Sequence, residues 1–331
     1  MKKIKFPLIA IILALFSSCE KEIEFNGEVT EPLIVVNSFL TPDSAITVEL
    51  TKSLFFLDSK NDFDRVDNAT VSIEVNGQLK ETLRFMNHGK YTGDYKALPG
   101  DSVALLVKVP GHEDVRSSVV VQQASVILSV DTLSKKLIER YESQKIDNQV
   151  IAWMTHYEKE IGVRIKDAAN VKNFYRLSVF YREQYAEHPE GYLSGYYMFF
   201  NLQGVSNEAT SGSILGLVEG ESSDEFHVFT DELFDGKEIV LRFKIYDYVF
   251  EVEPGFEHLF DKQYLTMKRS YIVNLQSIPQ DTYLYLKSKD AAEQVFETFF
   301  TEPVQIYTNI ENGVGIFGAI TNNRRTIDVN K

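Results

Sequence analysis

The chain has 331 residues, a formal net charge of −14, 44% hydrophobic residues and 25% charged residues. This composition is that of an ordinary globular protein, and the length suggests about two domains of ~150 residues each. The acidic balance disfavours nucleic acid as a partner, and the single cysteine excludes a disulfide within the chain, so packed cores must supply the stability.

The first 18 residues have the layout of a secretory signal peptide. Three lysines form a basic head, an apolar run of 11 residues covers 6–16, and two serines follow it. The apolar run is far shorter than the ~20 residues that a membrane-spanning helix requires. We therefore predict that residues 1–18 are cleaved and are not a permanent span.

The next residue, Cys19, is the only cysteine of the chain. Residues 15–19, Leu-Phe-Ser-Ser-Cys, resemble the lipobox of bacterial lipoproteins. The resemblance implies cleavage before Cys19 and a diacylglyceryl cysteine that carries fatty acyl chains such as palmitate. The alternative is an ordinary signal peptide with an incidental cysteine, but a secreted protein rarely leaves one unpaired thiol. We expect acylated Cys19 to hold the protein on a lipid bilayer.

Residues 19–31 are polar and are predicted to be a flexible tether. The acidic run at 20–24, Glu-Lys-Glu-Ile-Glu, resembles the signal that sends Bacteroidota lipoproteins to the outer leaflet of the outer membrane. A solvated spacer between lipid and fold is the alternative. The resemblance implies a lipid-anchored, cell-surface location.

From residue 32 the chain shows short apolar runs with alternating polarity, separated by turn residues. Residues 33–40, 46–51 and 69–75 are typical of strands, and Asn-Gly at 76–77 is a strong hairpin signal. About seven such strands in roughly 95 residues are typical of a Greek-key sandwich. We predict an immunoglobulin-like or fibronectin-like sandwich over residues 32–124.

The rest of the chain, residues 125–331, is predicted to be a larger β-rich domain with one short helix. Its first part is ambiguous. Leu133, Leu137, Ile138 and Tyr141 have helical spacing, whereas residues 126–130 and 160–165 alternate as strands do. Both a partly helical excursion and strands joined by long loops remain open.

The stretch from residue 174 to residue 200 is rich in aromatic side chains. Rings on a β-face can stack on sugars or anchor a protein partner, but core filling in a large β-domain is the favoured interpretation. The tyrosines of the second half point to an exposed patch as the alternative. The residues of this predicted partner or ligand surface are Tyr192, Tyr196 and Tyr197.

The predicted helix lies near the C-terminus. Asp290 can cap it, Glu293 three residues later completes a capping box, and Pro303 ends it. Residues 283–286 are assigned to a strand or to a helical lead-in. Two further strands follow, at 304–308 and 315–320.

Three segments resemble the Bacteroidota family catalogued as domain of unknown function 4249. They are residues 33–42 (LIVVNSFLTP), residues 231–237 (DELFDGK) and residues 302–318 (EPVQIYTNIENGVGIFG). The resemblance implies a cell-envelope lipoprotein, often found beside TonB-dependent outer-membrane transporters. It assigns no catalytic residues.

The residues give no motif for chemistry. The six histidines do not show metal-ligand spacing, and the chain has neither a G-x-S-x-G elbow nor a glycine-rich phosphate loop. Four aspartates in residues 58–67 offer hard oxygen ligands, so a structural calcium is an alternative there. The spacing fits no EF-hand and Lys60 and Arg65 neutralise part of the charge, so a solvated loop is favoured and no cofactor is predicted.

These observations lead to one functional expectation. We expect an outer-membrane lipoprotein without enzymatic activity that acts as a binding or accessory subunit of a TonB-dependent nutrient transporter. A structural or adhesive cell-surface module is the alternative. The expected partners are the bilayer and an outer-membrane receptor, and not nucleic acid.

Overall fold

A computed structural model of the chain describes residues 31–54, 62–185, 188–197, 227–262, 265, 267–296 and 304–328, and it describes the backbone alone at 185, 188–197 and 294–296. The chain is mostly β, as the sequence predicts. The strands of the first half are β1 Ile34–Leu40, β2 Thr47–Lys52, β3 Thr70–Val75, β4 Gln78–Thr82, β5 Arg84–Asn87, β6 Lys90–Thr92, β7 Ser102–Lys108 and β8 Val115–Val120.

The second half begins with the strands β9 Val126–Ile146, β10 Gln149–Lys166, β11 Phe174–Tyr185, β12 His188–Tyr197 and β13 Val228–Thr230. It continues with β14 Glu238–Val252, β15 Lys268–Ile278, the helix α1 Gln280–Phe296, β16 Val314–Ala319 and β17 Thr321–Asp328. Among the described residues, no helix combines the length and the apolar character needed to cross a membrane.

The strands β1 to β8 form a sandwich of two sheets. One sheet has the order β16-β1-β2-β6-β5 and the other the order β4-β3-β7-β8. Without β16, these orders are those of an immunoglobulin-like sandwich, which confirms the predicted architecture. Alternate residues of the strands point inward, as in β1, where Ile34, Val36 and Leu40 are buried in the shared core. The predicted turn is also present, with left-handed φ values at Asn76 and Gly77.

The strand β16 comes from the far end of the chain and extends the first sheet. The sequence assigns it to the C-terminal domain, but the structure pairs it in parallel with β1. The close approach depends on Gly315, whose φ is +107° and whose Cβ, if it had one, would lie 2.0 Å from the carbonyl oxygen of Val36. No local sequence pattern reports this pairing, because the partners lie almost the whole chain apart.

A second sandwich follows the first. A sheet of order β14-β10-β9 faces a sheet of order β12-β11-β15-β17, and β13 pairs with β11. Their inward side chains form one core that includes Ile161, Leu177, Phe243 and Val273. The tyrosine and leucine residues in the first half of the aromatic stretch serve this core, as the favoured interpretation predicts.

The two sandwiches meet where β16 passes into β17. Ile320 N donates to Leu40 O at 2.8 Å in the first sandwich. The hydroxyl of Thr321 donates to Gln122 O at 2.7 Å, and the side-chain amide of Asn323 donates to Ser125 O at 2.6 Å. One continuous run of chain therefore completes both sandwiches and binds the segment that links them.

The helix α1 begins ten residues before the predicted cap. It starts at Gln280, directly after Pro279, so Asp290 lies inside the helix and the assignment of Asp290 as its cap is wrong. Proline suits a helix start, because its missing N–H would have no partner there. Leu286 packs against Phe174 and Ile278. Residues 297–303, which include the predicted end at Pro303, lie outside the described residues.

Candidate functional site

The sheet of β9, β10 and β14, called here the long sheet, has the longest strands of the described chain. The strands have 21, 18 and 15 residues. β9 and β10 form a hairpin whose turn residues Asp147 and Asn148 both have positive φ. The helical alternative for this region is therefore wrong, and residues 126–166 form an extended hairpin.

Regular bulges explain why the sequence of β9 looks partly helical. Its pairing with β10 skips Leu128, Leu133, Ile138 and Ser143, so one extra residue occurs every five. A bulge places two residues opposite one and breaks the alternation of faces. Leu133, Leu137 and Tyr141 then lie four residues apart, and Ile138 and Tyr141 lie three apart, which are spacings that a helix face also shows.

β9 exposes a row of large apolar side chains. Seven of them have 40–54% of their surface exposed. Leu133 lies over Gly162 of β10, where a Cβ would be only 2.9 Å from its Cδ1. The seven residues, called here the β9 row, are Val126, Leu128, Leu133, Leu137, Ile138, Tyr141 and Ile146.

Aromatic rings cross all three strands of the long sheet. Tyr141 stacks on His156 at 5.6 Å, and His156 stacks on Tyr248 at 6.0 Å, measured between ring centroids. The guanidinium of Arg269 lies 3.6 Å from the centroid of Tyr248 and closes the stack. Tyrosine and arginine are residue types that dominate the binding energy of protein interfaces.

The one tryptophan of the chain also lies on the long sheet. The guanidinium of Arg140 sits 4.6 Å from the centroid of the Trp153 ring and pairs with Glu251 at 2.9 Å. The indole N–H donates to Glu253 at 3.4 Å. Trp153 and His156 are three positions apart on β10, whose pairing with β14 is regular, so the pair of Arg140 and Trp153 and the ring stack lie on opposite faces of the long sheet.

A buried ionic network fixes the long sheet to the sheet behind it. Asp247 accepts from Lys159 at 2.8 Å and from Arg269 at 3.1 Å, and all three side chains are at most 6% exposed. Arg269 also donates to Tyr248 O, and the hydroxyl of Tyr271 donates to Tyr246 O at 3.1 Å. Burial, with the nearby Asp247 carboxylate, raises the pKa of Tyr271, so its hydroxyl remains a donor at physiological pH.

A second cluster consists of three carboxylates at the end of the second sandwich. Oxygens of Asp167, Asp231 and Asp235 all lie within 4.8 Å of one another. The hydroxyl of Tyr175 and the backbone N–H of Gly236 donate to Asp167 at 2.5 and 2.8 Å. Burial and then the bond to Asp167 raise the pKa of Tyr175.

Donors of the chain also hold the other two carboxylates of this cluster. The backbone N–H of Asn173 donates to Asp231 at 2.8 Å, and that of Asn170 donates to Asp235 at 2.9 Å. The cluster thus joins the loop before β11 to the turn before β14. The sequence singles out 231–237 by resemblance but gives no signal for Asp167, which lies in a loop 64 positions earlier.

A cavity of about 660 Å³ lies beside these carboxylates, where the two sandwiches meet. Its walls come from the linker at 122–126, from the loop at 166–175 and from residues 277–280. Lys172 in this loop already pairs with Glu232 at 3.0 Å. The cavity has a mixed polar and apolar lining.

The predicted site residues lie elsewhere. Cys19 is outside the described residues. Tyr192, Tyr196 and Tyr197 belong to β12, and Tyr192 and Tyr197 pair with Glu183 and Phe180 of β11. Their side chains are outside what the structure describes, so the predicted aromatic surface stays a prediction.

The structure describes only part of the loop considered for calcium, because Asp58 is outside the described residues. Asp67 accepts from the backbone N–H of Gly89 at 2.7 Å, and Asp62 lies 3.7 Å from Arg65. In the described part of the chain, the three carboxylates that come together are those of Asp167, Asp231 and Asp235 instead. The sequence shows Leu133, Leu137, Ile138 and Tyr141 of the β9 row as a helix face and Val126 and Leu128 as part of a strand.

Comparison with known proteins gives one family and no named relative. A search of the curated proteins finds no match. A family model described as "Domain of unknown function (DUF4249)" matches residues 20–326. The match covers nearly all of the chain, both sandwiches included, and the chain therefore belongs to this family.

Proposed function

We propose that this protein is a lipid-anchored lipoprotein of the outer membrane and a binding or accessory subunit of a TonB-dependent nutrient transporter, without enzymatic activity. The observation that carries the binding role is the β9 row. Seven large apolar side chains of this one strand leave 40–54% of their surface exposed, and exposed apolar surface of this kind marks a contact with a partner. The stacked rings on one face of the long sheet, and Arg140 over Trp153 on the other, add residue types that are enriched at binding hot spots.

The partner is expected to contact side chains of the long sheet and not to add a strand to it. An edge strand can recruit a strand from another chain, but bulges and lysines discourage such pairing. β9 has bulges at a spacing of five and carries Lys135, Lys136 and Lys145 along its length. The apolar side chains therefore supply the contact surface.

Substitutions in the β9 row test the binding role. Leu137→Asp with Ile138→Asp places two charges at the centre of the proposed contact, and burying unpaired charges is costly. We expect this variant to lose co-purification with the outer-membrane barrel from detergent-solubilised membranes, while its thermal unfolding stays close to that of the wild type.

The matched control is Leu79→Asp in β4 of the first sandwich, where the leucine is 68% exposed. This change introduces the same chemistry away from the long sheet, and co-purification should persist. If the double variant still captured the barrel, the long sheet would not be the contact. If the wild type captured no barrel, the structural or adhesive alternative would replace the transporter role.

The anchor is tested at Cys19. A diacyl anchor holds a protein on a bilayer, because each buried methylene contributes about 0.8 kcal/mol and a single chain binds only marginally. Cys19→Ala should move the folded protein from the membrane fraction to the soluble fraction, and mass spectrometry of the wild-type N-terminus should show acylation. A variant that still pellets with membranes would contradict the anchor.

A further inference from the structure

The first strand of the fold and a strand from the end of the chain lie side by side with the same direction. β1 and β16 pair in parallel over six residue pairs, from Val35 with Val314 to Leu40 with Ala319. Residues 19–33 lead into the start of β1, whereas β16 leads from its end through Ile320 into β17 of the second sandwich. The tether and the second sandwich therefore connect to opposite ends of this ladder.

This arrangement determines how a pulling force acts on the ladder. A pull on the tether draws β1 backward along its axis, while a pull on the second sandwich draws β16 forward along its axis. The two strands are then sheared, and the hydrogen bonds of the ladder share the load at once. If the strands were pulled apart from one end, the same bonds would break one after another.

Neighbouring contacts hold β1 and β16 in place. β2 pairs with β1 on its other side over four residue pairs, and Ile34, Val36 and Leu40 are buried in the core. The side-chain amide of Asn309 accepts from Phe317 N at 3.0 Å and donates to Phe317 O at 2.9 Å. Sliding β1 out would therefore expose core side chains as well as break the ladder.

We propose that the β1–β16 ladder is a force-bearing clamp that keeps the first sandwich folded, and so limits the distance between the N-terminal tether and the second sandwich, when a bound partner and the membrane pull in opposite directions. The source of the load rests on the proposed lipid anchor and partner. The mechanical property itself depends only on the ladder.

Single-molecule pulling on the mature chain with Cys19→Ala tests the clamp. Handles at the two termini load the ladder in shear. A second protein carries Ser44→Cys, an exposed position in the turn after β1, and is pulled between this cysteine and the C-terminus, which loads both strands from the same end. We expect the first rupture force to be severalfold higher with terminal handles. Equal first rupture forces in the two geometries would overturn the proposal.

A reversible crosslink identifies the ladder as the element that yields. Val35→Cys with Val314→Cys places two thiols on directly paired residues, and adjacent strands are about 4.8 Å apart, a spacing that a disulfide can bridge. Oxidation should remove the first rupture under terminal pulling, and reduction should restore it. A first rupture that is unchanged by oxidation would place the yielding point elsewhere and refute the clamp.

The outcome is separable from that of the proposed function. The pulled protein carries no lipid and needs no partner. An unacylated Cys19 would therefore remove the anchor without affecting the measured force, and a weak ladder would refute the clamp without affecting membrane fractionation.

Discussion

Asp101 gathers hydrogen bonds from separate parts of the first sandwich. It accepts from the hydroxyl of Tyr95 at 2.5 Å, from Leu98 N at 2.8 Å and from the side-chain amide of Asn76 at 3.1 Å. The bond from Tyr95 is the main reason that the pKa of Asp101 lies below its usual value, and it raises the pKa of Tyr95 to about 12.

This carboxylate makes stability depend on pH in the acid range. A carboxyl group whose pKa is lower in the folded than in the unfolded state stabilises the fold above its unfolded pKa of about 3.9, and the contribution is lost as pH falls through the folded pKa. Asp101→Asn should lower the free energy of unfolding at pH 7 and reduce its decline below about pH 4, measured by denaturant titration. Tyr95→Phe should act in the same direction. Parallel pH profiles for wild type and variant would contradict this role.

Asp247 is the anion between two buried cations. Replacing it with alanine leaves Lys159 and Arg269 without their carboxylate, and breaking a buried ion pair in this way typically costs about 3–5 kcal/mol. We expect Asp247→Ala to lower the free energy of unfolding by this order.

The control for this prediction is the exposed pair of Arg84 and Asp94, which are 60% and 77% exposed. Asp94→Ala should change stability little, since solvent screens such pairs. If the two variants lost equal stability, Asp247 would not be the centre of the network.

At the scale of elements, local sequence patterns correctly predicted the strands and the turn that depend on neighbouring residues. The alternation in residues 33–40 and 69–75 and the Asn-Gly turn gave β1, β3 and the β3–β4 hairpin, because side chains on a half-buried strand must alternate. The alternation rule failed for β9, because the bulges that occur every five residues in this strand interrupt the alternation of faces. The helix begins at Gln280, whereas the prediction placed its start at a capping signal, Asp290, that lies within the helix.

Contacts between distant parts of the chain could not be predicted in this way. Nothing near residue 314 indicates that it pairs with residue 35. Nothing near Asp167 indicates that its carboxylate lies close to that of Asp231. Gly315 permits the first contact, since its backbone lies against Val36 O, but a glycine in the sequence does not say which strand approaches it. The described structure tests neither the lipid anchor nor the partner, and both stay predictions.

At the scale of the molecule, the last strands hold the two sandwiches together. β16 extends the first sandwich and β17 pairs with β15 along eight positions of the second. A chain that ends after residue 313 should lose cooperative unfolding and become sensitive to limited proteolysis throughout, because both cores are opened. Removal of residues 329–331 alone is the control and should leave resistance intact. Two protease-resistant fragments from the shorter chain would show that each sandwich folds without these strands.

The position of β16 and β17 also sets an order of events during biosynthesis. Ribosomes make residues 314–328 after the strands β1 and β15 that they pair with, so neither sandwich can complete its sheets until this segment has been synthesised.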